Sequence, residues 1–536
     1  MPHMQDDFPL LLSTLYDGAV RLHPDQEIVS IESDRTLTRT TYRGTDERIR
    51  RLAAAVADRL EVGAGGAVGT FAWNNHRHHE LYWALANMGR VCHTINIRLF
   101  ADQITYIVNH AEDQAVFVDP DLVPLVAPIA DTFETVRTFV VMGSEADDRL
   151  PNSISYEELI DGVDGVDEWP LLDERSPMMF CYTSGTTGNP KGVAYTQRST
   201  YMHTISNLAN FAIGPEDNVL PVVPMFHAAA WGYPFMATAR GAKLTYPGPD
   251  LSPAGLVKLF EDEKVTFSAG VPTVWLGIQQ YLTEHPEADV SSLRAFLCGG
   301  SAVPRSMIDW FWKNRGIPVQ QGWGMTETNP VASVAVLKPH MADWDWERKL
   351  DFMETAGLPI PGLQVKIVDE FGAELPHDGV AFGELLIRGP WIAAQYYNDP
   401  RSSQQFVEGW LRTGDVCKID PEGYIRITDR AKDLIKSGGE WISSLDIENT
   451  LMGHPGVAEA TVVGLKHDKW QERPVAFVVR AADADVSEDD LKGFLADKVA
   501  SWWLPDRVVF IDEIPKTGTG KFDKKVVRDQ YADLLL

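Results

Sequence analysis

TSGTTGNPKG, residues 183–192, follows directly on the apolar run PMMFCY at residues 177–182. The apolar run is typical of a buried strand, and GVAYT (192–196) is typical of a second strand, after which STYMHTISNLANF (199–211) indicates a helix. Glycines let backbone N–H groups turn toward a ligand, hydroxyl groups donate further hydrogen bonds, and Lys191 adds a positive charge. The stretch therefore predicts a strand–loop–strand hairpin whose tip cradles a polyphosphate.

Two other interpretations of this loop are weaker. A Walker A loop places GK[ST] at the start of a helix, whereas here Pro190 precedes the lysine and a strand follows. A solvent-exposed hairpin turn seldom needs ten residues of such composition. An anion-binding hairpin remains the better prediction.

Length and charge indicate a protein with more than one folded unit and few polyanionic partners. The chain has 536 residues, of which 44% are hydrophobic and 23% charged, as in ordinary globular proteins. One hydrophobic core stops growing at about 250–300 residues, so two or more units are expected. The formal net charge of -28 repels phosphate backbones and anionic lipids, which disfavours nucleic acids and membrane surfaces as partners.

Cysteine spacing and the N-terminal residues favour a cytoplasmic location. The first residues, MPHMQDDFPLLLSTLYDG, carry acids where a signal peptide needs basic residues, and their apolar run is too short for a bilayer. We therefore expect no stable membrane insertion. Neither a zinc site nor a disulfide framework is indicated by the four cysteines, which are Cys92, Cys181, Cys298 and Cys417.

Residues 45–330 alternate helical patterns with short apolar runs, which predicts parallel sheets covered by helices. TDERIRRLAAAVADRL (45–60) is typical of a helix, and DQAVFVDP (113–120) and VRTFVVMG (136–143) are typical of strands. Several strands end in small residues, and in open α/β sheets such ends form the ligand crevice.

From about residue 351 short alternating strands indicate an antiparallel barrel or sandwich, and a second α/β unit begins near residue 430. In that unit VSEDDLKGFLADKVASWW (486–503) predicts a helix with Ser487 as its N-cap. We expect an N-terminal domain over 1–429, made of two doubly wound α/β subdomains (about 1–350) and a small β-barrel (about 351–429). A smaller, mobile α+β C-terminal domain would occupy 430–536.

The run HRHHE (76–80) offers several side chains able to bind metals at close spacing. No cysteine or carboxylate set accompanies it to complete a metal site. We interpret it as the solvated start of a helix.

Seven ordered segments resemble the signatures of the acyl-adenylate-forming superfamily, which includes acyl-CoA synthetases, luciferases and the adenylation domains of peptide synthetases. The resemblance extends from about residue 25 to 525 and rests on YTSGTTGNPKG (182–192), PMFHAAAW (224–231), CGGSAVP (298–304), QGWGMTET (321–328), LRTGD (411–415), DRAKDLIKSGGEW (429–441) and PKTGTGK (515–521). SGGEWISSLDIENTLMGHP (437–455) and HDKWQERP (467–474) are most similar to bacterial fatty acyl-CoA synthetases.

The resemblance implies a two-step reaction that needs ATP, Mg²⁺ and coenzyme A. A carboxylate would attack the α-phosphorus of ATP and release pyrophosphate, and the acyl group of the resulting acyl-AMP would pass to the thiol of CoA. Charge neutralisation around the phosphates is the main catalytic demand of the first step. Residues that the resemblance assigns to ATP or AMP are Thr183, Ser184, Gly185, Thr186, Thr187, Gly188, Lys191, Ser301, Gln321, Gly322, Trp323, Thr326, Asp415, Arg430, Lys432 and Lys521.

Individual roles follow from the same resemblance. Trp323 stands where the family usually has tyrosine and would stack on adenine, and Asp415 would accept the ribose hydroxyls, with Arg430 donating to ribose or phosphate. The implied catalytic residues are Lys521, which bridges the carboxylate and the phosphate, His227, which orients the carboxylate, Thr326, which contacts the α-phosphate, and Glu327, which binds Mg²⁺ together with Thr183.

The second step is implied to use a rotated C-terminal domain. Lys432 matches the hinge position, where backbone dihedrals change, and Trp231 resembles the tryptophan that gates an acyl tunnel. Residues that would face the reaction during thioester formation are Lys436, Ser437, Gly438, Gly439 and Trp441.

We expect a CoA ligase for a medium-chain or long-chain fatty acid. A short thioether acid such as 3-methylmercaptopropionate, or an aryl acid, is the nearest alternative, and other acceptors, namely oxygen or a carrier protein, would keep most of the motifs. A non-catalytic nucleotide-binding regulator is disfavoured because the charged residues of all these motifs are present together. The synthetases that the chain resembles are often homodimers.

Overall fold

The computed structural model describes residues 5, 7–183, 189–430, 433–437, 440–467, 469–482, 484–516 and 522–535, except for the side chains of Glu440 and Trp441. Within this part the chain is mixed α/β, with a large N-terminal domain and a smaller C-terminal one, as predicted. None of its described helices combines the length and apolar character needed to span a bilayer.

Helices and strands are numbered here in chain order. In the first 160 residues they are α1 (Leu12–Leu22), β1 (Glu27–Ile31), β2 (Leu37–Thr41), α2 (Tyr42–Asp58), β3 (Ala67–Phe71), α3 (His76–Asn87), β4 (Val91–Thr94), α4 (Ala101–Ala111), β5 (Asp113–Val118), α5 (Val123–Val126), β6 (Thr138–Val141), β7 (Ser153–Ser155) and α6 (Tyr156–Ile160). Up to residue 353 there follow β8 (Pro177–Tyr182), β9 (Gly192–Thr196), α7 (Gln197–Phe211), β10 (Asn218–Pro221), α8 (Tyr233–Arg240), β11 (Lys243–Tyr246), α9 (Pro253–Glu263), β12 (Phe267–Gly270), α10 (Pro272–Glu284), β13 (Ala295–Gly299), α11 (Arg305–Arg315), β14 (Val319–Gly324), β15 (Val331–Val334) and α12 (Trp346–Met353).

The remaining elements belong to two further sheets and their helices. They are β16 (Leu358–Pro359), β17 (Gln364–Val368), β18 (Phe382–Arg388), α13 (Ser402–Gln405), β19 (Phe406–Val407), β20 (Trp410–Ile419), β21 (Ile425–Arg430), β22 (Ile435–Ser437), β23 (Glu440–Ile442), α14 (Ser444–Met452), β24 (Val457–His467), β25 (Gln471–Arg480), α15 (Glu488–Ala496), β26 (Arg507–Phe510) and α16 (Lys524–Gln530). Short 3₁₀ turns include Ala228–Gly232 and Thr326–Thr328.

Two large sheets form the N-terminal part. One has the order β7-β6-β5-β3-β4-β8-β9 and the other β16-β15-β14-β13-β12-β10-β11-β1-β2. Their inner strands pair in parallel, as the helix–strand alternation predicts, and β8 and β9 form the predicted antiparallel hairpin. One buried core joins both sheets, because residues of β4 and β8 pack in the same cluster as residues of β11 and β13.

Helix α3 shows that the interpretation of HRHHE was wrong in one respect. The helix does begin at His76, capped by the Asn75 side chain, but His76, His78, His79 and Glu80 are buried. The cause is its position, because α3 contacts β1 of one large sheet and β4 and β8 of the other. Its polar side chains have internal partners, such as Arg48, whose Nε lies 2.8 Å from Glu80 Oε1. No three His, Cys, Asp or Glu side chains of the described residues form a cluster that could hold a metal ion.

The antiparallel strands that follow form a five-stranded sheet in the order β17-β18-β20-β19, with β21 paired to β20. In the C-terminal part β24 and β25 form a long antiparallel pair, and β26 adds to β25 in parallel. Ser487 caps α15 as predicted, but the helix ends at Ala496 and not at Trp503. The chain turns there because Val499, Trp503 and Leu504 pack against the C-terminal core.

Candidate active site

A cleft of about 1530 Å³ lies where strand ends of the nine-stranded sheet, the β8–β9 hairpin, the five-stranded sheet and the C-terminal part meet. The predicted ligand crevice at the strand ends is therefore present. Every described residue that the resemblance assigned to nucleotide, metal or acid lines this cleft, namely Thr183, Lys191, His227, Trp231, Ser301, Gln321, Gly322, Trp323, Thr326, Glu327, Asp415 and Arg430. Residues 184–188, Lys432, Gly438, Gly439 and Lys521 lie outside the described part of the chain, as does the side chain of Trp441.

The base of the hairpin holds Thr183 and Lys191 side by side. The Thr183 N–H donates to the Lys191 carbonyl at 2.9 Å, and the Lys191 N–H donates to Thr183 Oγ1 at 3.2 Å. The two strands are thereby closed beneath the loop, and the Lys191 ammonium lies 4.5 Å from the centre of the Tyr396 ring. Both residues therefore line the cleft from the hydrogen-bonded base of the hairpin.

Thr326 and Glu327 lie in a 3₁₀ turn directly after β14 and are held from two sides. Tyr195 of β9 donates its hydroxyl to the Thr326 carbonyl at 2.7 Å. The Ala393 N–H donates to the Glu327 carbonyl at 2.9 Å, and the Tyr396 hydroxyl donates to Glu327 Oε1 at 2.6 Å. The Glu327 residue is only 5% exposed, so its carboxylate is fixed at the wall of the cleft.

Close backbone packing requires two glycines near this turn. A side chain at Gly324 would place its Cβ 1.9 Å from the Pro330 carbonyl oxygen, where β14 and β15 shift register. A Cβ at Gly299 would lie 2.5 Å from the Gly322 oxygen. Close packing of backbone on backbone therefore requires these glycines, independently of any ligand.

Trp323, Asp415 and Arg430 form a connected group that also lines the cleft. The Trp323 Nε1–H donates to Asp415 Oδ2 at 2.8 Å, and Arg430 Nε lies 2.6 Å from Asp415 Oδ1. The Asp415 side chain is 2% exposed, whereas that of Arg430 is 42% exposed. Trp323 also packs against the buried face of the five-stranded sheet, so the indole joins the nine-stranded sheet to the strand that carries Asp415.

The segment around Trp231 has an unusual backbone. Ala228, Ala229, Ala230 and Trp231 have φ values of 39°, 47°, 50° and 55°, all in the left-handed region. For residues other than glycine this conformation costs about 1–2 kcal/mol each. The Trp231 side chain is buried against the cleft wall, so a strained turn presents the predicted gate residue.

The C-terminal part closes one side of the cleft through residues next to the predicted Lys521, among them Phe522 and Lys524. The Lys524 ammonium lies 2.8 Å from Glu448 Oε1 and donates to Ser444 Oγ at 2.6 Å. The Ser444 hydroxyl in turn donates to Asp429 Oδ2 at 2.6 Å. Burial alone would lower the pKa of Lys524, but the neighbouring Glu448 and Asp429 carboxylates raise it, so the ammonium form is favoured.

Among the described residues with a predicted role in the reaction, Lys436 and Ser437 do not line this cleft. The Lys436 N–H donates to Glu472 Oε2 at 2.9 Å, and Ser437 Oγ accepts from Arg473 Nη1 at 3.1 Å. Both residues belong to β22, which pairs with β25 in the C-terminal sheet. Their predicted role in thioester formation would require another orientation of this sheet.

Hard oxygen donors at the cleft suit a magnesium ion. Mg²⁺ keeps several water molecules and is usually held by one or two carboxylates together with substrate phosphates, without a dedicated protein cage. Glu327 and Thr183 line the same cleft as Lys191, and the described residues contain no alternative cluster for a metal. These donors therefore fit the ion.

Comparison with known proteins identifies the family. The model of the AMP-binding enzyme family matches residues 17–397, and that of the AMP-binding enzyme C-terminal domain matches residues 446–521. The chain belongs to the AMP-binding enzyme family. The resemblance predicted from the motifs is thereby confirmed.

Relatives of this AMP-binding enzyme are similar over its whole length. A long-chain-fatty-acid–CoA ligase of Thermus thermophilus is 45% identical, covering 99% of this chain and 97% of its own. A 3-methylmercaptopropionyl-CoA ligase of Ruegeria lacuscaerulensis is 43% identical over 98% of both chains, and a medium-chain-fatty-acid–CoA ligase of Ectopseudomonas oleovorans is 41% identical, covering 98% and 97%. The predicted enzyme class, an AMP-forming acid–thiol ligase, is confirmed.

Solved structures confirm the fold. The ATP-bound MatB of Rhodopseudomonas palustris is 23% identical and superposes with a TM-score of 0.82, over 97% of this chain and 99% of that one.

Sequence reasoning missed Tyr396, which is 3% exposed and touches both Glu327 and Lys191. Its segment, AQYYNDP (394–400), has no charge pattern or glycine-rich spacing that marks a site. Only the tertiary contact with two motif residues reveals it.

Proposed function

We propose that the protein is an AMP-forming acyl-CoA ligase for medium-chain or long-chain fatty acids. Two relatives above 40% identity are named as fatty-acid ligases of these classes. The cleft is also lined by apolar side chains from β13 and from the segments after β10 and β12, which include Val223, Phe226, Val271 and Leu297 and form its apolar wall. An alkyl chain would gain roughly 0.8 kcal/mol for each CH₂ that it buries there.

In the first step a carboxylate oxygen bonds to the α-phosphorus of ATP as the bond to the pyrophosphate oxygen breaks. Lys191 supplies positive charge to the phosphates, and Asp415 accepts the ribose hydroxyls, with Arg430 beside it. Magnesium, when bound at Glu327 and Thr183, would neutralise phosphate charge. His227, which also lines the cleft, orients the acid, and Lys521 reaches in from the C-terminal domain.

In the second step the CoA sulfur bonds to the acyl carbon, and AMP leaves with the former carboxylate oxygen. We divide the chain into domains 1–429 and 430–536, with Lys432 as the hinge whose rotation brings Lys436, Ser437 and the Gly438–Trp441 segment to the reaction. Trp231 is the gate of the acyl pocket and is carried on the left-handed turn that begins at Ala228.

The observation that carries this proposal is that Lys191, Glu327, Asp415 and the apolar wall share one cleft. The test is to incubate the enzyme with ATP, Mg²⁺ and acids from butyrate to palmitate, together with 3-methylmercaptopropionate and benzoate, with and without CoA. AMP, pyrophosphate and acyl-CoA are measured. We expect acyl-CoA to form only when CoA is present. We expect kcat/KM to be highest for an acid of about six or more carbons, because each further buried CH₂ adds roughly 0.8 kcal/mol.

The second candidate substrate is 3-methylmercaptopropionate. A relative named for it is 43% identical over 98% of the chain. A kcat/KM for this acid above that of every fatty acid in the panel would replace the fatty-acid proposal.

A further inference from the structure

Tyr396 occupies a position between two phosphate-binding elements. Its segment lies between β18 and α13, outside every motif that the sequence analysis used. The Tyr397 N–H donates to the Gly192 carbonyl at 2.8 Å, and the Ala393 N–H donates to the Glu327 carbonyl at 2.9 Å. The segment is therefore tied at one end to the phosphate hairpin of the seven-stranded sheet and at the other to the turn after β14.

The side chain of Tyr396 makes a different contact with each element. Its hydroxyl donates to Glu327 Oε1 at 2.6 Å, a charge-assisted geometry, and its ring faces the Lys191 ammonium at 4.5 Å. Because the tyrosine is 3% exposed and Glu327 5% exposed, water competes weakly for either contact. The ring also packs on Phe406, with centroids 5.2 Å apart, which restricts its rotation.

We propose that Tyr396 is a positioning residue that orients the Glu327 carboxylate for magnesium and holds Lys191 at a set distance from it. The proposal rests on the proposed role of Glu327 as the metal ligand. A hydrogen bond to one carboxylate oxygen fixes the rotamer and leaves the second oxygen for the ion. The ring contact keeps the ammonium from pairing with the same carboxylate, so both charges remain available to the phosphates.

Two substitutions separate the two contacts. Tyr396→Phe removes the hydroxyl and keeps the ring, whereas Tyr396→Leu removes both. Loss of a group that supports a metal ligand typically weakens metal affinity by about 10–100-fold. We expect Tyr396→Phe to raise the Mg²⁺ concentration for half-maximal acyl-AMP formation about tenfold with little change in the KM for ATP at saturating Mg²⁺. We expect Tyr396→Leu to raise that KM as well.

Tyr397→Phe is the matched control. Tyr397 is the adjacent tyrosine, but its ring packs on Phe180 and His110, with centroids 4.5 and 5.6 Å away, so its hydroxyl is expected to leave the Mg²⁺ dependence unchanged. A second readout does not depend on turnover, namely calorimetric titration of Mn²⁺ into each variant with a saturating non-reactive ATP analogue. Thermal unfolding of each variant shows whether a change reflects the fold.

The outcomes are distinct. A tenfold weaker Mn²⁺ affinity in Tyr396→Phe, with wild-type affinity in Tyr397→Phe, supports the proposal. Equal metal affinity in Tyr396→Phe and the wild type overturns it. Glu327→Gln tests the role of Glu327 separately from that of Tyr396. Unchanged metal affinity in that variant refutes Glu327 as a metal ligand, whatever the result for Tyr396.

Discussion

The hydrogen bond from Trp323 to Asp415 predicts how the enzyme recognises the ribose of ATP. The acceptor is a carboxylate that is 2% exposed, and the donor is an indole N–H at 2.8 Å. Trp323→Phe keeps an aromatic ring for packing against the five-stranded sheet but removes this donor. One oxygen of a buried carboxylate then loses its partner, and Asp415 keeps only the restraint from Arg430 among these contacts.

The magnitude follows from the charge of the acceptor. Hydrogen bonds to charged groups are worth about 1.5–3 kcal/mol, and the partly exposed Arg430 admits some water, so the lower end applies. About 1.4 kcal/mol is tenfold in an equilibrium constant. We therefore expect the KM for ATP to rise about tenfold in Trp323→Phe, with a smaller change in kcat.

The assay measures pyrophosphate release with ATP and with 2′-deoxy-ATP. If Trp323 acts by fixing Asp415 against the ribose, removing the 2′-hydroxyl raises the KM for the nucleotide more in the wild type than in Trp323→Phe. The control is Trp312→Phe, a surface tryptophan 43% exposed on α11. A KM for ATP within about twofold of wild type, together with undiminished discrimination against 2′-deoxy-ATP, would refute this account.

Three further predictions concern other parts of the chain. Lys521→Ala should suppress acyl-AMP formation while leaving thioester formation from supplied acyl-AMP largely intact, and an equal loss in both half-reactions would contradict its assignment. Lys432→Pro should trap one domain orientation and slow one half-reaction selectively. Unchanged rates of both half-reactions would refute the assignment of Lys432 as the hinge. Burial, with His76 and His78 nearby, lowers the pKa of His79 to about 3, whereas the pKa is about 6.5 in the unfolded chain. The contribution of neutral His79 to the free energy of unfolding is therefore complete above about pH 6.5 and is lost as the pH falls. His79→Gln should therefore reduce the slope of the unfolding free energy between about pH 6.5 and 4 by up to ~1.4 kcal/mol per pH unit in urea titrations, and an unchanged slope would show that His79 does not titrate on unfolding.

The sequence predicted those features that depend on local pattern. Apolar runs that end in small residues gave the parallel sheets, and PMMFCY with GVAYT gave the hairpin that carries Thr183 and Lys191. The motif residues of the nine-stranded sheet, such as His227, Ser301 and Gln321, converge because parallel strands deliver their ends to one edge of a sheet. The crevice at these strand ends was thus predictable before the structure, whereas the approach of Asp415 and Arg430 from the five-stranded sheet was not.

Features that depend on contacts between distant segments were not predictable. HRHHE reads as polar in sequence, yet α3 is buried because it contacts both large sheets and finds internal partners there. Ser487 set the start of α15, but packing of Val499 and Trp503 against the core determined where the helix ends. Tyr396 carries no local signal at all.

The contacts of Tyr195, Trp323 and Tyr396 would keep the cleft rigid during the proposed rotation of the C-terminal domain. Each of these aromatic side chains joins two sheets of the N-terminal part, from β9 to the Thr326 turn, from β14 to Asp415, and from the segment after β18 to Glu327. The nucleotide wall is therefore fixed by hydrogen bonds that do not involve the C-terminal domain. Rotation about Lys432 would then exchange Lys521 for the Lys436–Trp441 segment without moving Lys191, Glu327 and Asp415. One nucleotide position could serve both half-reactions, because only the groups that approach the acyl carbon would need to change.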